Sequence, residues 1–299
     1  MIPYDRPRSE GGSMEQTWTW STTGYNFVGM PHDEIIATCT AAGLSGIEGA
    51  AELFPDETDA ELEQIARRYR DAGLGIGSYH LPFKPDDDIV CLYETTRRAA
   101  VDTMISHMER AAALGARVVI QHPSTNRFNV DLEGFDNYLG RLGRSLEALL
   151  PRAASLGLVI AIENMLPGAD GPRVGSRPEH LSAIGERFAD PNLGFCLDTG
   201  HALVAGGPDD AGEFFRSMAP MLAAFHLADN AGDRDSHLAP GRGLVDWDAI
   251  FAGMAAIGYA HPACIETPPF AHRRDGSFSR DAWKKLVAET QALADHALR

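Results

Sequence analysis

The sequence predicts an α/β fold, a single-domain (β/α)8 TIM barrel, from three observations. One unit recurs along the chain: an amphipathic helix pattern, a glycine stop, a short aliphatic run and then a polar residue. Eight strand-like runs alternate with helix patterns, and the chain of 299 residues is long enough for one such barrel. A doubly wound open sheet is the alternative, but no GxGxxG follows the first strand.

The predicted elements follow in chain order. The first strand is WTWS, and complete helix–glycine–strand units then cover residues 39–49, 68–80, 109–122, 152–164 and 253–266. LGFCLD and LAAFHL supply strands six and seven, and the helix pattern RDAWKKLVAETQALADHAL closes the cycle. Glycine after a last helical turn is typical of a C-cap, and near-continuous apolar strands indicate a sheet covered on both faces. The barrel is predicted over residues 17–299, after a disordered N-terminal extension at residues 1–16.

Composition narrows the class of function. The 26 basic and 42 acidic side chains leave a net charge of −16, which argues against a nucleic-acid or anionic-membrane partner. The N-terminus lacks the apolar core of a signal peptide, and no run approaches the length of a membrane span. The four cysteines form no CxxC pair and are expected to be buried free thiols. We therefore expect a cytoplasmic enzyme that acts on a small molecule.

Ionisable residues follow seven of the eight predicted strands. In LVIAIEN, for example, an aliphatic run is followed by Glu163. The ionisable residues at the seven strand ends are Glu48, His80, His122, Glu163, Asp198, His226 and Glu266. Because the loops after all strands of such a barrel meet at one mouth, these side chains are expected to share a single site.

Three of the four carboxylates in this set, Glu163, Asp198 and Glu266, would repel one another in a partly buried mouth. A divalent cation between Glu163, Asp198 and Glu266 resolves that conflict, with His226 as a nitrogen donor. The sequence therefore predicts a metal site for manganese, cobalt, magnesium or zinc.

The loop HLADNAGDRDSHLAPGRGLVDW is the second informative segment. Asp235 and His237, together with His201, form a possible second set of ligands, while Arg234 or Arg242 could bind a substrate oxygen or carboxylate. The alternative is a polar loop whose aspartates cap turns.

The segments IAIEN, CLDTGH, FHLADN, DSHLAPGRG and CIETPP resemble the xylose isomerase-like TIM barrel superfamily, also called AP endonuclease family 2. The resemblance covers roughly residues 17–297 and implies sugar isomerases and epimerases, inosose dehydratase or endonuclease IV as functional relatives. In the ketose epimerase branch one metal would be held by Glu163, Asp198, His226 and Glu266. The same resemblance implies that the two glutamates act as acid and base, while His201 contacts substrate oxygens.

The endonuclease IV branch implies a larger set for up to three metals. Its nine positions have counterparts in His80, His122, Glu163, Asp198, His201, His226, Asp235, His237 and Glu266. The interval from His226 to Asp235 is shorter than that branch implies, and the overall charge is acidic. Both departures argue against DNA as the substrate.

The predicted function is therefore a metal-dependent isomerase or epimerase of a ketose, aldose or related polyol ketone, working through a metal-stabilised enediolate. Glu163 and Glu266 would exchange the proton, and His80 and Glu48 would line the sugar pocket. The alternatives are an inosose-type dehydratase, a two- or three-metal hydrolase that does not act on DNA, and a sugar-binding barrel without catalysis. A Schiff-base aldolase is disfavoured because no lysine ends a strand. A homo-oligomer is common in the superfamily.

Overall fold

Eight parallel strands close into a barrel in the computed structural model, which describes residues 18–125, 129–268 and 280–299. Each strand pairs with the next along the chain, and the last pairs with the first. The strands are β1 Trp20–Thr23, β2 Gly46–Ala50, β3 Gly75–His80, β4 Val118–Gln121, β5 Val159–Glu163, β6 Leu193–Asp198, β7 Leu222–Leu227 and β8 Ala263–Ile265. The predicted (β/α)8 barrel is confirmed, while the predicted N-terminal extension lies outside the described residues.

Helices surround the barrel between consecutive strands and after the last one. They are α1 His32–Ala42, α2 Asp59–Asp71, α3 Glu94–Leu114, α4 Val130–Glu133, α5 Phe135–Leu156, α6 Pro178–Arg187, α7 Thr199–Met218, α8 Trp247–Ala256 and α9 Arg280–Ala297. Most of the buried apolar side chains lie in one cluster of strand and helix residues. That cluster fills the space between the sheet and the helical layer, as the aliphatic strands predict.

Glycine stops end the helices where the sequence predicts them. Gly43, Gly115 and Gly157 follow α1, α3 and α5 with φ of 78°, 90° and 67°, and their N–H groups bond back to the last turn. This left-handed conformation favours glycine, because a Cβ would approach the following carbonyl. Each stop turns the chain at once into the next strand.

The first strand differs slightly from its predicted position. It begins at Trp20 rather than Trp18. The Trp18 indole donates to Tyr259 O at 2.9 Å and stacks on Phe251. All four cysteines are free and buried, as predicted. None of the helices in the described part of the chain combines the length and the apolar composition that a bilayer crossing demands.

Small apolar residues fill the lower interior of the barrel. A separate cluster contains Val118, Ile120, Ala161, Cys196 and Ala224. Since alternate residues of a strand face the same side, the inward positions further along the same strands carry polar residues. The polar layer therefore rests on a packed apolar floor.

Candidate metal centre

Four polar side chains converge at the carboxyl end of the barrel. Glu163 ends β5, Asp198 ends β6, His226 lies in β7 and Glu266 directly follows β8. One donor atom from each of these residues, which we call the metal quartet, lies within 4.8 Å of the others. The residues that the sequence predicts as one group of ligands are thus brought together.

Oxygen atoms of the quartet are short of hydrogen-bond donors. Asp198 Oδ2 is buried without a hydrogen-bond partner among the described residues. Glu163 Oε2 lies 3.0 Å from His122 Nε2, and Glu266 Oε2 lies 3.0 Å from His226 Nδ1, but neither pair has the alignment of a hydrogen bond. Buried carboxylate oxygens normally have partners, so this donor set fits a bound divalent cation.

The two carboxylate oxygens of Asp198 differ in their hydrogen bonding. Oδ1 accepts a hydrogen bond of 2.7 Å from His201 N–H and thereby caps α7. The Asn164 side chain brackets the backbone of Asp198, accepting from its N–H at 2.7 Å and donating to its carbonyl at 2.9 Å. With Oδ1 and the backbone fixed in this way, Oδ2 is left as a free ligand atom.

The electrostatics of the metal quartet also favour a cation. Burial raises the pKa of Asp198 to about 8, and the charges of Glu266 and Glu163 add to the rise. Burial raises the pKa of Glu266, but the charge and close contact of His226, together with the charge of His237, lower it to about 2. A divalent ion among these carboxylates would favour the ionised form of all three.

A second group of donors adjoins the metal quartet and shares Glu163 with it. His80 Nε2 and His122 Nε2 lie 3.6 and 3.0 Å from Glu163 Oε2. One donor atom from each of these three residues lies within 4.8 Å of the others. Burial lowers the pKa of His122 to about 4, which leaves its imidazole neutral and able to bind a metal. We call His80, His122 and Glu163 the histidine group.

The loop after β7 brings a third set of polar residues to the mouth. Asp235 Oδ2 lies 3.0 Å from His237 Nε2 and 3.5 Å from His201 Nε2. His237 adopts a φ of 44°, unusual for a residue with a side chain, and its Nδ1 lies 2.8 Å from Glu266 O. Asp235, His237 and His201 therefore lie together beside the metal quartet.

Comparison with known proteins agrees with this architecture. A family model described as xylose isomerase-like TIM barrel matches residues 36–294. The chain belongs to this family. The resemblance inferred from the strand-end segments is therefore confirmed.

Two relatives illustrate the range of the family. An uncharacterised protein of Methanocaldococcus jannaschii is 30% identical over 211 residues, which cover 70% of this chain and 69% of that protein. A protein of Chlorobium luteolum named "Probable endonuclease 4" is 32% identical over 190 residues, covering 58% of this chain and 64% of that protein.

Two solved structures share the fold of the whole barrel. A D-tagatose 3-epimerase-like protein has a TM-score of 0.74 at 24% identity, covering 94% of this chain and 100% of that one. An L-ribulose 3-epimerase has a TM-score of 0.76 at 19% identity, covering 95% of this chain and 96% of that one. At these identities the similarity establishes a common fold.

Glu48 lies within its strand rather than at the predicted strand end. Its side chain is 1% exposed and faces the inner side of His226, whose Nε2 lies 3.1 Å from Glu48 Oε1. Ser78 Oγ donates to Glu48 Oε2 at 2.8 Å. Strand β2 continues to Ala50, so Glu48 lies inside the barrel rather than after the strand end. Its contact with a substrate stays a prediction.

The two arginines predicted to bind substrate lie differently from that expectation. Arg242 donates to Glu289 of α9 at 2.7 Å, in an ion pair that is partly exposed to solvent. The guanidinium is thus directed at the helix, and its assignment as a substrate contact stays a prediction. Arg234 is exposed on the β7–α8 loop and has no ion pair with another described residue.

The carboxylate of Asp229 holds the β7–α8 loop in place. It accepts from Asn230 N–H, Gly243 N–H and Val245 N–H and from the Trp247 indole, at 2.9 to 3.1 Å. A Cβ on Gly243 would lie 2.1 Å from Asn230 O, so only glycine fits there. The glycine-rich turn that follows Asp235 and His237 thus serves loop packing.

Three further residues near the mouth escape the analysis of strand ends. Arg173 is buried, and its Nε donates to Leu166 O at 2.8 Å, but its guanidinium forms no ion pair with the described residues. Tyr25 and Phe83 form an aromatic wall beside His80, with ring centroids 5.8 and 5.0 Å from that imidazole. Tyr25 and Phe83 follow strands β1 and β3 closely, and this position is the signal that could have found them.

Proposed function

We propose that the protein is a divalent-metal-dependent sugar isomerase or epimerase. The observation that supports it most directly is the metal quartet, in which three carboxylates and one imidazole converge and one carboxylate oxygen is buried without a partner. This mixture of oxygen and nitrogen donors suits manganese, cobalt, magnesium or zinc. The fold shared with proteins described as sugar epimerases supports a sugar or polyol as substrate.

Glu163 and Glu266 are the proposed acid and base, while the four residues of the quartet hold the cation. When bound, the cation would polarise a substrate carbonyl and the neighbouring hydroxyl. The two glutamates come from β5 and β8, which are not neighbours in the barrel, and lie 3.1 and 3.0 Å from His226 Nδ1. They can therefore approach a sugar from two sides.

Proton transfer between these glutamates accounts for either reaction. One carboxylate takes the proton from the carbon next to the carbonyl, and the C–H electron pair moves into an enediolate of the substrate. Return of a proton by the second glutamate to the opposite face of that carbon gives the epimer. Return of a proton to the former carbonyl carbon gives the isomer instead.

Residues around the quartet supply contacts for the rest of the sugar. His201 Nδ1 lies 2.9 Å from Asn164 O and is expected to donate to it, while Nε2, which faces Asp235 Oδ2 at 3.5 Å, would also contact a substrate oxygen. Arg173 offers donors to a hydroxyl or carboxylate oxygen, since a buried guanidinium that has no ion pair with the described residues gains from such a partner. Tyr25 and Phe83 offer apolar faces to the carbon skeleton of the sugar.

Hydrogen–deuterium exchange tests the two-glutamate scheme. The metal-loaded protein is incubated in D2O with a panel of ketoses, aldoses and polyol ketones, and exchange at the carbon next to the carbonyl is followed by proton NMR. Glu163→Gln and Glu266→Gln are each expected to lower the exchange rate at least about 100-fold, as loss of a general acid or base does.

The matched control is Glu63→Gln on the exposed face of α2, which is expected to exchange at the wild-type rate. Wild-type exchange in either Glu163→Gln or Glu266→Gln would rule out the scheme. Absence of exchange in the wild type across the whole sugar panel would reject the sugar enzyme itself.

A hydrolase with more than one metal is the second candidate, and the histidine group is the observation that favours it. His80, His122 and Glu163 could hold a further ion beside the quartet, and Asp235, His237 and His201 could complete a third site. Metal content per chain, measured by elemental mass spectrometry, separates the candidates. About one ion per chain supports the isomerase or epimerase, whereas two or three support the hydrolase. The net charge of −16 argues against DNA as its substrate.

A further inference from the structure

Glu48 and His226 form a buried pair on the inner side of the metal quartet. Glu48 Oε1 and Oε2 lie 3.1 and 3.3 Å from His226 Nε2, and both side chains are almost completely buried. The other imidazole nitrogen, Nδ1, faces Glu163 and Glu266 at 3.1 and 3.0 Å. The ring therefore has one nitrogen directed at Glu48 and the other at the proposed cation.

We propose that Glu48 is a positioning residue that fixes the orientation and tautomer of His226 for metal binding. The two Glu48 oxygens at Nε2 are hydrogen-bond acceptors, so this contact places the imidazole proton on Nε2 and leaves the lone pair of Nδ1 for the metal. Rotation of the ring by 180° about χ2 would break this contact and replace Nδ1 by a carbon. The proposal rests on the metal site of the proposed function.

The surroundings of Glu48 support this role. Ser78 Oγ donates to Glu48 Oε2 at 2.8 Å and holds the carboxylate in place from the neighbouring strand β3. The His80 ring lies nearly parallel to the His226 ring, with centroids 5.8 Å apart and an interplanar angle of 19°. The Ser78 contact thus holds the acceptor that faces Nε2, and the His80 ring lies along one face of the His226 imidazole.

A metal ion bound by Glu48, His226 and Cys264 is the competing interpretation, since donor atoms of these residues also lie within 4.8 Å of one another. Such an ion would need the lone pair of Nε2. The same ring would then have to give up its remaining proton to bind the quartet metal through Nδ1. A hydrogen bond from Nε2–H to Glu48 requires no such ionisation, and it is the simpler account of the geometry.

Metal affinity and NMR together test the positioning role. Dissociation constants for Mn²⁺ are measured by calorimetry on metal-free wild type, Glu48→Gln, Glu48→Met and Ser78→Ala. Glu48→Met, which removes the acceptor, is expected to weaken binding by about 10- to 100-fold. Glu48→Gln keeps an acceptor without the charge and should fall between that variant and the wild type. Ser78→Ala keeps the contact of Glu48 with His226 and should bind within about threefold of wild type.

The second readout is the tautomer of His226 in the Zn²⁺-loaded protein, measured from nitrogen-15 NMR. The wild type is expected to show a proton on Nε2 and a metal on Nδ1, and this measurement does not depend on any variant folding. Metal on Nε2, or wild-type Mn²⁺ affinity in both Glu48 variants, would overturn the positioning role while leaving the proposed function intact. A wild type that binds no metal would overturn both proposals. Metal binding without exchange on any sugar would reject the proposed function alone.

Discussion

At the residue scale, the two oxygens of Asp198 separate folding from metal binding. Oδ1 caps α7 through His201 N–H, whereas Oδ2 has no hydrogen-bond partner among the described residues. A carboxylate can therefore be required by the helix through one atom and by the site through the other. Substitutions that spare one of the two tasks make this division measurable.

Asp198→Asn tests that division. Asparagine is as good an N-cap as aspartate, so the thermal midpoint of the metal-free protein is expected to change little. The loss of one ligand charge should nevertheless weaken Mn²⁺ binding by at least about tenfold. Calorimetry for the metal and circular dichroism for the midpoint check the two halves independently.

Asp198→Ala is the matched comparison, because it removes both oxygens. It should lose metal binding and also about 1 kcal/mol of stability from the missing cap. Equal thermal midpoints for the metal-free Asn and Ala variants would contradict the capping role of Oδ1.

At the element scale, the junctions of strands and loops show what sequence reasoning can reach. Aliphatic runs locate the ends of β5 and β6 on Glu163 and Asp198, because a sharp change from apolar to polar residues marks both ends. The segment GIEGAAELF offers no such change, so Glu48 is mistaken for a residue beyond its strand. Arg173 lies in an irregular loop without any period, and only tertiary structure brings it near the mouth.

Gly140, inside helix α5, and Gly157, directly after it, form a matched pair for testing the glycine stops. Gly157→Ala places a Cβ on a residue with φ of 67° and should destabilise the protein by about 1 kcal/mol. Gly140→Ala, inside the same helix with open space around its new Cβ, should instead stabilise it by about 0.5 to 1 kcal/mol. Urea unfolding of both variants checks the opposite signs, and a stabilising Gly157→Ala would contradict the account of the stop.

At the scale of the whole molecule, buried carboxylates lie together at one end of the barrel. The net charge of the chain is already −16. Glu163 and Asp198 are at most 1% exposed, so water screens their mutual repulsion poorly. The folded state should consequently bind a divalent cation far better than the unfolded chain, in which the same residues are scattered. Metal binding and global stability are then linked.

Metal removal measures this linkage. With free Mn²⁺ at 100 times its dissociation constant, the free energy of unfolding is expected to rise by about 2.7 kcal/mol over the chelated protein. Differential scanning calorimetry with and without EDTA should show the thermal midpoint fall when metal is removed. In Asp198→Asn, whose binding is at least about tenfold weaker, the same Mn²⁺ concentration should raise the free energy of unfolding by no more than about 1.4 kcal/mol. A wild-type midpoint unaffected by EDTA would argue against a metal held by the folded barrel.

The anchoring of the β7–α8 loop by Asp229 has a consequence for how new specificities could be built. One carboxylate ties down both ends of the segment through Asn230 N–H on one side and Gly243 N–H and Val245 N–H on the other. The residues between these anchors include Asp235 and His237 at the mouth. The segment between Asn230 and Gly243 could therefore be replaced by another sequence of equal span. Such a replacement would change the side chains at the mouth, and so the ligands that bind there, while the fold of the barrel stays the same.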